Sequence, residues 1–149
     1  MVKEDEVRVF IDGCVNYFRH VGVEVPEVSA PYLLDGDPDI FDYTGIIGIS
    51  GARKGNVYFT AEAGILKSIL QSVGEESTDP HVMSDMVGEV TNTISGNVRK
   101  VYGQNFVISV PAVITSNEGV VRVPAKASAF VVPLSWSNAG RASLIIVLQ

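Results

Sequence analysis

Residues 81–102 carry two segregated faces at helical period, and this segregation constrains the chain more than any other feature. On a helical wheel Met83, Val87, Val90, Ile94, Val98 and Val101 gather in one apolar sector, which must face a core. Asp85, Glu89, Asn92 and Gly96 gather in a second sector roughly opposite. Their spacings of four, three and four stack them along one line. Gly103 marks the end of the helix. A long helix with one buried stripe needs a broad partner surface, and the rest of the chain supplies β character for it.

The elements around this helix read as follows. Residues 5–21 form a helix with Val7, Phe10, Ile11, Cys14, Phe18 and Val21 on one face, stopped by Gly22. Residues 23–33 have strand character, but Pro26 and Pro31 confine them to an edge or a broken strand. Residues 41–50 and 56–60 read as a hairpin around Gly51-Ala52-Arg53-Lys54-Gly55. Thr60 is placed to cap a helix starting at Ala61, which carries Ile65, Leu66, Ile69, Leu70 and Val73. After the long helix, strands are expected over 105–115, 120–132 and 142–149. Sequential strands joined by short turns imply a mostly antiparallel sheet with helices packed on one face, an α+β layer fold. The 149 residues read as a single domain, 1–149, without a linker.

Composition narrows the function classes. Hydrophobic residues make up 46% and charged residues 19%, which is globular. No apolar run reaches the roughly 20 residues that span a bilayer, so no membrane partner is expected. The start Met1-Val2-Lys3-Glu4-Asp5-Glu6 is too charged for a signal peptide, and a cytoplasmic location is the simplest reading. With net charge −6 and only Arg53-Lys54 and Arg99-Lys100 as adjacent basic pairs, nucleic acid is not an expected partner. Cys14 is the only cysteine and reads as a core residue. His20 and His81 are far apart and read as surface residues, so no metal site is expected. Asp35, Asp37 and Asp39 lie in an acidic turn that lacks the Gly and Glu spacing of a calcium loop. Trp136 reads as a core or edge aromatic. There is no Gly-x-Ser-x-Gly, P-loop, His-Glu-x-x-His or Gly-x-Gly-x-x-Gly pattern.

The segment Gly88-Glu89-Val90-Thr91-Asn92-Thr93-Ile94-Ser95-Gly96 resembles the signature helix of the CheC/CheX/FliY chemotaxis phosphatases, Glu-x-x-Asn with a Gly before it and another four residues after. Asp85, Lys100 and the run Phe106-Val107-Ile108-Ser109-Val110-Pro111 extend the likeness. The first helix departs from the tandem CheC pattern: Asp12 is followed at the third position by Val15, with Asn16 one residue late. One active helix is the CheX arrangement. The resemblance implies a phosphatase of two-component signalling, acting on the aspartyl phosphate of a CheY-type response regulator. Asn92 would orient the attacking water and Glu89 would pair with the receiver's lysine. Asp85, Gly88 and Gly96 would take part in docking, the two glycines either by admitting the receiver or by close helix packing. The phosphatase would need no cofactor of its own, Mg²⁺ being held by the receiver. The resemblance also implies a homodimer, for which 125–132, with Lys126, Phe130, Val131 and Val132, is a candidate edge strand; the other reading is an internal strand. The alternative function on the same fold is a non-catalytic module that binds a response regulator or the flagellar switch.

Overall fold

The structure, a computed structural model, describes residues 3–119, 121–124 and 127–149. Its elements in chain order are α1 (Glu4–Val21), β1 (Glu27–Val28), β2 (Tyr32–Leu34), β3 (Tyr43–Gly51), β4 (Gly55–Ala61), α2 (Ala63–Ser72), α3 (Pro80–Tyr102), β5 (Phe106–Ile108), β6 (Ala112–Thr115), β7 (Ser128–Trp136) and β8 (Gly140–Leu148). Among the described residues the eight strands form one sheet in the order β1-β7-β8-β4-β3-β5, with β2 also on β7 and β6 also on β3. Every pairing is antiparallel. This is the expected α+β architecture.

All three helices cover one face of the sheet. Phe10, Phe18, Ile65, Leu66, Val87, Ile94 and Val98 meet Val57, Phe59, Leu144 and Ile146 in the main core. The opposite face carries a second cluster of Tyr58, Ala129, Val131, Ile145 and Val147, closed by Leu34 of β2 and by Ile40 and Val121 from the loops. Leu144-Ile145-Ile146-Val147-Leu148 is therefore an unbroken apolar run because the central strand it forms is buried on both sides.

The strand pairings and side-chain contacts bear out some local expectations and correct others. The two prolines divide 23–33 into the short strands β1 and β2. Both pair with β7, which is paired to β8 on its other side. Over its described strand residues 128–132 the candidate edge strand is thus internal, because β1 and β2 occupy the outer side of β7. Within the stretches 120–132 and 125–132, Val120, Ala125 and Lys126 lie outside the described residues, and 121–124 form no strand. Helix α2 is not capped by Thr60: that hydroxyl is buried in β4, taking the Phe41 N–H at 2.7 Å and bonding Thr44 at 2.9 Å. Asp42 caps the helix instead, its carboxylate accepting the Ala63 N–H at 2.8 Å. Trp136 belongs to the core and donates its indole N–H to the Glu24 carbonyl. Asp37, in the acidic turn, accepts the Val123 N–H and pairs with Arg122.

The expected strand 105–115 is split into β5 and β6 by a bulge. Ile108 stands opposite Ile49, whereas Ala112 stands opposite Ile46. Four steps on this side match three on β3, so one residue is extra. Since side chains alternate faces, the insertion reverses the parity beyond it. Val113 thereby reaches the helix side and Ile114 the opposite cluster.

Candidate functional site

Helix α3 lies over β3, and a buried contact sets how close it comes. Thr91 is fully buried, and its hydroxyl donates to the Val87 carbonyl at 2.7 Å. A Cβ on Gly45 of β3 would stand 2.0 Å from that hydroxyl and 2.8 Å from the Val87 carbonyl. Gly45 is therefore required by the close approach of helix to sheet. An isolated glycine inside a strand pattern is the sequence signal for such a contact, and the signature helix alone did not point to it.

With its inner face fixed, α3 turns Asp85, Glu89 and Asn92 outward to solvent, as the wheel requires. The Glu89 and Asn92 side chains make no hydrogen bond or ion pair with another described residue. The carboxamide thus keeps both its acceptor and its two donors available, one helical turn from a free carboxylate. At the C-terminal end the wheel is corrected: Val101 is 67% exposed, and its neighbour Tyr102 turns inward to stack on Phe106, ring centroids 5.0 Å apart.

The two glycines of the signature differ. Gly88 is buried, and a Cβ there would meet Val113 at 3.2 Å and Pro111 at 4.0 Å, so its size serves the fit of α3 against β6. Gly96 lies on the outward line, and a Cβ there would meet nothing within 4 Å. No packing contact requires this glycine.

Helix α1 flanks the other side of the ridge. The Asn97 side chain donates to the Gly13 carbonyl at 3.1 Å, which joins α1 and α3 directly. Burial, and after it the charge of Glu89, push the Tyr17 phenol well above its ordinary pKa, so Tyr17 remains a neutral neighbour of the Glu89 carboxylate. Asp12 and Asn16 are exposed on α1, with Asn16 accepting from Arg19. Cys14 is buried, and burial pushes its thiol up to about 12, which makes it inert as a nucleophile near neutral pH. His20 and His81 are exposed. Among the described residues no group of three or more His, Cys, Asp or Glu is arranged to hold a metal ion, and no helix is long and apolar enough to cross a membrane.

This geometry can be set beside known proteins. No curated protein matches the chain. Among solved structures, a CheX from Desulfovibrio desulfuricans superposes with a TM-score of 0.86 at 23% identity, covering 97% of this chain and 99% of that one. A putative chemotaxis protein from Desulfovibrio vulgaris Hildenborough superposes with a TM-score of 0.84 at 25% identity, covering 97% of both. A CheX from Borrelia burgdorferi, solved in a complex with CheY, BeF3 and Mg²⁺, gives 0.73 at 24% identity over 99% of both. The family model described as chemotaxis phosphatase CheX matches residues 43–135, from the first residue of β3 through the signature helix almost to the end of β7. With that match over more than half of its length and the fold in common, the chain belongs to the CheX family of chemotaxis phosphatases.

Proposed function

We propose that this chain, acting as one domain, accelerates hydrolysis of the aspartyl phosphate on a CheY-type receiver, with Asn92 orienting the attacking water and Glu89 pairing with the receiver's lysine. The observation that carries the reading is the unpartnered Glu89–Asn92 pair, one turn apart on the outward line of a helix whose opposite face is locked to the sheet. The partner class is supported by the family and by the Borrelia relative's complex with CheY.

The chemistry fits the residues. An acyl phosphate is already activated, so its hydrolysis depends on placing water in line with phosphorus and on stabilising charge around the phosphoryl group. Water oxygen bonds to phosphorus, the bond from phosphorus to the acyl oxygen breaks, and the products are the receiver's free aspartate and inorganic phosphate. The Asn92 carbonyl oxygen accepts from the water while its NH₂ donates to a phosphoryl oxygen. A carboxylate at that position would repel the phosphoryl group. Glu89 is better used against a cation beside it. The Mg²⁺ is assigned to the receiver, where it supplies charge neutralisation.

The experiment compares phosphate release from a phosphorylated CheY-type receiver with wild type and Asn92→Ala. Loss of at least 100-fold in kcat, on the order of what one positioned group contributes, with KM held within about threefold, is the expected result. Acceleration by wild type that survives in Asn92→Ala would remove the water-orienting role. No acceleration over several receivers would make the chain a docking module on this fold.

A further inference from the structure

The bulge between β5 and β6 does more than correct the register. It projects Val110, which is 87% exposed and the most exposed large apolar side chain among the described residues. A single exposed valine is ordinary. This one is held rigidly. The Ser109 N–H donates to the Gly48 carbonyl at 2.9 Å, the Gly48 N–H donates to the Ser109 hydroxyl at 2.8 Å, and that hydroxyl donates to the Val110 carbonyl at 3.1 Å. Pro111 fixes the backbone on the other side. Its ring lies 4.0 Å from where a Gly88 Cβ would stand. Gly88 immediately precedes Glu89 and lies about one turn before Asn92 on the flank facing the bulge.

We propose that the Ser109-Val110-Pro111 bulge is a second docking element for the receiver, with Val110 as its apolar anchor. The inference rests on the function proposed above, because that function fixes the occupant: the receiver has to settle on the α3 ridge to bring its phosphoryl group to Asn92. The ridge itself offers Asp85 and Glu89, which are charged and exposed. Charged contacts steer and orient a partner, whereas a desolvated apolar anchor supplies much of the affinity. The bulge provides such an anchor on the same flank, and its rigidity spares the cost of ordering a loop on binding. Bulges recur beside active sites for this kind of re-aiming.

The test is calorimetric titration of a CheY-type receiver carrying beryllofluoride and Mg²⁺ onto wild type, Val110→Asp, Val110→Ser and the control Val101→Asp. Both valines are exposed, so all variants should fold, with unchanged circular dichroism. Burying a valine corresponds to roughly tenfold or more in Kd. Val110→Asp is expected to weaken binding at least tenfold, Val110→Ser less, and Val101→Asp by under twofold. A Kd for Val110→Asp equal to wild type overturns the assignment, as does an equal loss in Val101→Asp. Wild type that binds but fails to speed phosphate release would sink the catalytic reading while the docking result stands. Failure of wild type to bind any receiver overturns both.

Discussion

Gly45 has no room for a side chain, since Thr91 and the Val87 carbonyl already occupy the position of its Cβ. Gly45→Ala is therefore expected to push α3 off the sheet, costing about 1–3 kcal/mol as overpacking does. A shift in the urea midpoint checks this, and an unchanged midpoint would mean that helix and sheet separate freely. The outward placement of Glu89 and Asn92 was legible in the sequence, because helical period alone assigns residues to faces. The need for Gly45 was not, because the atom it avoids belongs to a helix over 40 residues away in the chain. Val101 failed for a related reason. Periodicity says which way a residue points but not where the neighbouring surface ends, and here Tyr102 takes the inward position.

At the scale of elements, helices and long strands were legible while their ends and interruptions were not. Thr60 is a good capping residue by type, yet the β3–β4 pairing keeps it in the strand through Ala61 and leaves Asp42 to cap α2. The split of 105–115 escaped notice because Val and Ile fill both sides of the bulge, and only pairing with β3 reveals the extra residue. Helix α3 itself yields a prediction. Gly96 is helical, and a Cβ there would meet nothing within 4 Å. Gly96→Ala should then stabilise the protein by up to about 1 kcal/mol through helix propensity. If the outward line must stay low for the receiver, the same variant raises the KM for phosphorylated receiver. Higher stability with unchanged KM would leave Gly96 without a docking role.

Over the whole molecule, α1 and the far end of the sheet are joined through aromatic rings. Phe18 of α1 lies 4.9 Å from Trp136 of β7, edge to face, and 6.1 Å from Phe59 of β4. Trp136 fluorescence therefore reports helix-to-sheet docking, while far-UV circular dichroism reports secondary structure. If 1–149 is one domain, the two denaturation curves should coincide. Separate midpoints would show that α1 and the sheet come apart as distinct units.

The sequence by itself determined the layer architecture, the inward and outward faces of α3, and the Glu89–Asn92 line. These depend on local periodicity and residue type, which each segment carries alone. The tertiary structure alone decided that β7 is internal, that Gly88 packs under Val113, and that a bulge exposes Val110 next to the Pro111 that faces Gly88. Such features depend on which strands pair and in what register. That choice is made by contacts distant in sequence, and one segment read in isolation does not contain it.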